Sequence, residues 1–217
     1  MVRKALASSK IMADIPSATK FSSLGALNQA LMEAAPFAKS AGRIILGSGP
    51  VNAPIAFVGE QPGDQEDIQG APFVGPAGKL LDEAMSDAGI DRRQCYLTNA
   101  VKQFNYVQRG KKRLHQKPRN DVIVHYRWWL ELELDLVAPT VTVALGSTAL
   151  FALSRRHLSV MANRGPLELL GRKGYATVHP SAILRIPDRE ARHQARRAFV
   201  ADLKKIDALS RTGKRGS

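Results

Sequence analysis

The sequence has a single cysteine, Cys95, in 217 residues. That excludes an intramolecular disulfide and any metal centre assembled from several thiolates of this chain, and it suits a reducing cytoplasm. No apolar run approaches the ~18 residues that cross a bilayer, so a soluble chain with no membrane span is expected. The glycine-rich stretch Gly59–Gly78 lacks both GxxxxGK[ST] and GxGxxG spacing, which argues against a nucleoside triphosphate or dinucleotide cradle. Acidic residues are also short: 19 Asp and Glu stand against 32 Lys and Arg, a formal net charge of +13. Such a surplus favours a polyanionic partner, because each neutralised phosphate releases counterions. Nucleic acid is the leading candidate and an anionic membrane surface the second.

What is present reads as one core. Short apolar runs, "APIAFVGE", "CYLTNAV", "TVTVALG" and "YATVHPSAIL", alternate with amphipathic stretches. Leu80, Leu81, Ala84, Met85 and Ala88 recur at helical spacing before Gly89, and "NDVIVHYRWWLELELDLV" reads as a long helix with Asn120 as its N-cap. "STALFAL" and "DREARHQARRAFVADLKKI" complete the set. Strand–helix alternation predicts an α/β fold, a single-domain three-layer α/β/α sandwich on a central, mainly parallel four-stranded sheet. Expected boundaries are a loosely ordered N-terminus over 1–20, which an amphipathic targeting peptide would also fit, one domain over 21–209, and a basic tail over 210–217.

In sheets of this kind ligands bind beyond the carboxyl ends of the strands. The segments with the least core-forming character all fall there: Gly59–Gly78, Asn99, Gly146 and "HPSA" at His179–Ala182. Each residue has a plain and a functional reading. Gly59 to Gly63 is a tight turn with solvated acids, or a loop that brings backbone and carboxylates to a ligand. Phe73 is a loop residue folded into the core, or a platform for a planar base. Asn99 caps a turn, or presents a donor and an acceptor to an imide edge. His179 is satisfied within its turn, or donates to an anion developing on a leaving group.

"GEQPG", "PFVGPAG", "TNAVK" and "HPSAIL" on successive strands resemble the uracil-DNA glycosylase superfamily, specifically its family 4 and the related uracil-DNA-binding group called UdgX, over Ser48 to Ile206. The resemblance implies excision of uracil flipped out of DNA, leaving an abasic site. It implies that Gly59, Phe73, Asn99 and His179 bind uracil, that His179 stabilises the departing anion, and that Glu60 faces the sugar cation, with Gln61 and Asp64 assisting. Ser181, Leu184 and Arg185 would contact DNA, and Leu184 or Arg185 would fill the gap left by the flipped base, where an apolar turn is the alternative. Implied partners are uracil-containing and abasic-site DNA, bound by a monomer.

Two departures from the family pattern matter. Family 4 carries an iron–sulfur cluster, yet its ligand positions fall near Met32, Ala35, Gln103 and Tyr126. No cofactor or metal is therefore expected, and Met32, Phe37, Tyr126 and Trp128 are expected to pack in its place. The second is "QRGKKRLHQKP", a basic loop whose Lys111, Lys112 and Arg113 are expected on DNA phosphates. It resembles the UdgX insertion whose terminal histidine attacks the abasic sugar, which makes His115 a candidate nucleophile. Because Gln103 and Tyr126 offer no metal anchor beside this loop, the sequence favours a glycosylase that clamps its product without a covalent bond. A covalent uracil-DNA trap is the alternative, and a nucleotide hydrolase or other Rossmann-like binder a third reading.

Overall fold

The computed structural model describes residues 21–34, 37 and 42–212. The expectations for 1–20, for Ala35 and for the tail beyond Thr212 concern residues outside that set.

Four five- or six-residue strands, β1 (Ile55–Gly59), β2 (Cys95–Asn99), β5 (Val141–Leu145) and β7 (Arg172–Thr177), run parallel in the order β2-β1-β5-β7. Their side chains alternate between two cores. Ile55, Phe57, Val143 and Leu145 pack on one face with α3 (Pro76–Ala88) and α7 (Arg189–Arg211), whereas Ala56, Val58 and Ala144 pack on the other with α4 (Asn120–Val137) and α5 (Gly146–Ser154). Burial on both faces explains the mainly apolar runs of β1, β2 and β5, and of β7 from Gly174 onward. The α/β sandwich predicted from the sequence is therefore present, and no described helix is long and apolar enough to cross a membrane.

The sheet has one more strand than predicted. β6 (Gly165–Leu169) pairs antiparallel with β7 at the edge, and the turn between them places Leu170 and Gly171 at φ 52° and 71°. Two left-handed residues suit a tight hairpin, but leucine in the first position is not a recognisable turn signal. The basic loop is a second hairpin, β3 (Tyr106–Arg109) with β4 (Lys112–His115), turning at Gly110 with φ 60°. Two boundaries move slightly. Arg119 rather than Asn120 occupies the N-cap of α4, and α7 continues through Arg211, past the expected domain end at 209. Short helices α1 (Leu24–Glu33), α2 (Asp64–Gln69) and α6 (Pro180–Leu184) complete the fold.

Candidate active site

Register sets the floor of the site. Gly59 and Asn99 end adjacent parallel strands side by side, and the chain beyond stays in step through Ala100 N–H to Gly59 O (2.9 Å) and Val101 N–H to Glu60 O (3.0 Å). A Cβ on Gly59 would lie 2.4 Å from Asn99 Oδ1 and 2.7 Å from Phe73 Cζ, so only glycine leaves this space open. Asn99 is buried, yet its amide bonds to no described residue. Among the described residues the sealed polar atoms without partners belong to His125, Thr142 and Arg164, and none to Asn99. A buried amide with unspent donor and acceptor capacity is suited to a ligand.

The loop's glycines and carboxylates brace Phe73. Glu66, buried, accepts from the Gly63 and Gly75 backbone N–H groups at 3.0 Å each, stapling the loop across itself. Phe73 is held at φ 57°, a left-handed conformation costly for a bulky side chain and common at functional sites. Gly78 permits it: a Cβ there would sit 1.9 Å from Phe73 O. The Phe73 ring faces that of His179, 6.4 Å away and inclined by 28°.

His179 caps α6. The Ser181 main-chain N–H donates to its Nδ1 (3.2 Å), and Ser181 Oγ lies 2.8 Å from the same atom while accepting from Arg185 (3.2 Å). Burial, with Arg185 and His115 nearby and Glu60 opposing them, pushes its pKa down to about 4. The imidazole is surrounded by protein although the residue keeps partial surface exposure. Because a main-chain amide can only donate, the neutral ring carries its proton on Nε2.

Glu60 meets His115 and lies within electrostatic reach of His179. Its Oε2 accepts from Thr148 Oγ1 (2.5 Å), and its Oε1 lies 3.2 Å from His115 Nε2. Burial raises the Glu60 carboxyl, but hydrogen bonding by His115 and Thr148 and the proximity of His115 and His179 outweigh it, leaving the group below its ordinary value. Thr148 was missed in the sequence, although it stands three residues beyond a strand end, where ligand sites concentrate.

Three expected site residues serve the hairpin instead. Gln61 spends its whole amide on the hairpin's roots, donating to Asn105 O (3.2 Å) and Gln116 O (3.1 Å) and accepting from Asn105 Nδ2 (2.8 Å). Asp64 accepts from Arg113 (2.6 Å), and Asp67 binds the same guanidinium, which lies over the Phe104 and Tyr106 rings. Arg113 is thus turned inward by two carboxylates rather than left for a phosphate, a correction to its expected place. Lys111 and Lys112 are exposed. At the opposite rim Leu184 and Arg185 are also exposed, Leu184 by 39%.

The two residues beside the hairpin from which no metal anchor is expected meet directly. Gln103 and Tyr126, both buried, bond to each other: Tyr126 Oη lies 2.6 Å from Gln103 Oε1. Neither supplies a thiolate, Met32 is 56% exposed, and Cys95 lies in β2 with its thiol pushed up to about 12, chiefly by burial. These residues do not fit an iron–sulfur cluster. The expected apolar filling is only partly present. Phe37 packs on His125 (4.9 Å) and against the core that holds Tyr126, and Trp128 packs on Trp129 and Phe21, whereas Met32 is exposed and contributes no buried packing.

Comparison with known proteins shows the family. The profile of the Uracil DNA glycosylase superfamily matches residues 46–204. The Type-4 uracil-DNA glycosylase of Thermotoga maritima is 34% identical over 169 residues, covering 76% of this chain and 82% of that protein. Those of Archaeoglobus fulgidus (34% identical; 75% and 80% covered) and Sulfurisphaera tokodaii (32%; 78% and 76%) are similar. With the profile spanning most of the described domain and relatives aligned over three quarters of the chain, the chain belongs to the uracil-DNA glycosylase superfamily.

Proposed function

We propose that this protein flips uracil out of DNA and hydrolyses its N-glycosidic bond, leaving an abasic site for repair. The observation that carries this reading is the open Asn99 amide beside Gly59, Phe73 and a neutral His179. Phe73 stacks on the flipped base, and the Asn99 amide pairs with the imide edge that distinguishes uracil from cytosine. As the bond from C1′ to N1 breaks, its electron pair leaves with uracil. His179 Nε2–H donates to the resulting anion, and the Glu60 carboxylate stabilises the cationic sugar. Water then adds to C1′ and gives up a proton to the carboxylate. Lys111 and Lys112 on one rim and Arg185 on the other meet phosphates, and Leu184 fills the vacated stack. The protein acts as a monomer and without a metal cofactor, and its one thiol, enclosed in the core, suits the reducing cytoplasm.

After excision the hairpin holds the abasic product. A specific contact favours a second reading of this step: His115, 3.2 Å from Glu60, can lose a ring proton to the carboxylate as its nitrogen bonds C1′. With uracil-DNA in excess, free uracil should appear as a burst equal to the enzyme, followed by a slow phase. No uracil release would reject the proposal. A band surviving denaturation on a gel, lost in His115→Ala, would select covalent capture; its absence would select tight non-covalent retention.

A further inference from the structure

The excursion from Phe104 to Arg119 leaves the fold between β2 and α4, and it carries His115 to Glu60. Its roots are joined at depth by polar side chains. The Gly42 carbonyl accepts from Gln103 Nε2 (2.9 Å), and since a carbonyl can only accept, the Gln103 amide orientation is fixed. Gln103 Oε1 therefore faces Tyr126, whose hydroxyl must donate. Gly42 N–H in turn donates to Phe104 O (3.0 Å), and Ile44 bridges Gln103. The path continues to the site: Asn105 Nδ2 reaches Gln103 O (3.5 Å) and Gln61 Oε1 (2.8 Å), and Gln61 is the neighbour of Glu60.

We propose that the Tyr126–Gln103–Gly42 hydrogen bonds are a metal-free clasp that positions the hairpin, and with it His115, against Glu60. Tyr126 and Gln103 are positioning residues, occupying the places where a cluster-bearing relative would put ligands. A thiolate-bound metal and a buried hydrogen bond share one mechanical property, that of joining chain segments far apart in sequence at a single point. Here the bond joins α4 to the strand-end segment 23 residues before it. Removing the hydroxyl leaves the Gln103 oxygen buried and unpaired, so the roots of the excursion should separate while the sheet, whose hydrogen bonds the clasp does not share and on which the remaining aromatic ring still packs, stays intact.

The test is hydrogen exchange on the full DNA-free chain carrying Tyr126→Phe. Exchange should rise about tenfold or more over residues 104–117, with β1 and β5 within about twofold of the unsubstituted protein. Unchanged protection of the hairpin, or an even rise across all strands, would overturn the proposal. Should Tyr126→Phe fold poorly, Tyr126→Phe with Gln103→Leu removes both polar partners, leaves no unpaired side-chain atom of that pair, and should loosen the hairpin equally. Only a second arm rests on the excision reading. Tyr126→Phe should weaken retention of abasic product, scored as dissociation or as adduct yield, about fivefold or more, but less than twofold in a His115→Ala background. Equal effects in both backgrounds would reject positioning of His115, whereas absence of uracil release would reject the excision reading and leave the exchange result to decide.

Discussion

Replacing His179 with alanine should slow uracil release by a hundredfold or more while changing DNA affinity by less than about threefold. The imidazole is neutral with its proton on Nε2, because Ser181 N–H occupies Nδ1 and burial holds the pKa near 4. The negative charge it meets appears only as the glycosidic bond breaks, so its contribution belongs to the transition state. Loss of one preorganised donor of this kind costs ~10²–10³ in rate, or ~2.7–4 kcal/mol. The protonation state adds a sign. A histidine whose pKa falls from 6.5 to about 4 on folding binds protons first in the unfolded chain. Stability contributed by the neutral ring is therefore complete above pH 6.5 and lost as pH falls towards 4, by up to ~3 kcal/mol. Excision, by contrast, should stay flat from pH 8 to about 5, since the working neutral form persists there. The assay is single-turnover uracil release beside binding to DNA carrying an uncleavable uracil analogue, in the otherwise unsubstituted protein. A rate that declines through pH 6.5 with titration of His179, or equal losses of rate and affinity in the variant, would refute the reasoning.

Gly59→Ala should abolish excision to below about a hundredth while affinity for uracil-free DNA persists, because its Cβ would occupy the space between Asn99 and Phe73; retained excision would place the base elsewhere. Asn99→Asp presents acceptors only, so discrimination against cytosine should relax, as measured by competing uracil and cytosine substrates. Unchanged rejection of cytosine would assign base reading to another group. Lys111→Ala and Lys112→Ala should each lower the salt slope of duplex-DNA affinity by ~0.9, whereas Arg113→Ala should leave the slope unaltered, its guanidinium being turned to Asp64 and Asp67. A fall in slope for Arg113→Ala would mean that it leaves those carboxylates for DNA.

The parallel strands were legible because β1, β2 and β5 are buried along their whole length, and β7 from Gly174 to Thr177, so each reads as a mainly apolar run. β6 was not, since half its side chains are exposed and its turn rests on Leu170 in a strained conformation rather than on Asn-Gly. The floor of the site was legible for a geometric reason: Gly59, Asn99 and His179 all stand at or just beyond strand ends. The roles of Gln61, Asp64 and Arg113 were not, because nearness in sequence to Glu60 or His115 says nothing about which way a side chain turns. Gln61 lies beside Glu60 yet bonds to residues 44 and 55 positions away. The acidic loop was likewise readable as a ligand loop, but Glu66 and Asp67 are consumed by backbone N–H groups and arginine, long-range contacts with no local signature.

The most direct test of the central claim is a crystal structure of Glu60→Gln bound to DNA containing one uracil. The uracil should be extrahelical, its ring on Phe73, its imide edge on the Asn99 amide and its O2 within hydrogen-bonding distance of His179 Nε2. A uracil left in the stack, or flipped into a site that Asn99 and His179 do not reach, would contradict the account.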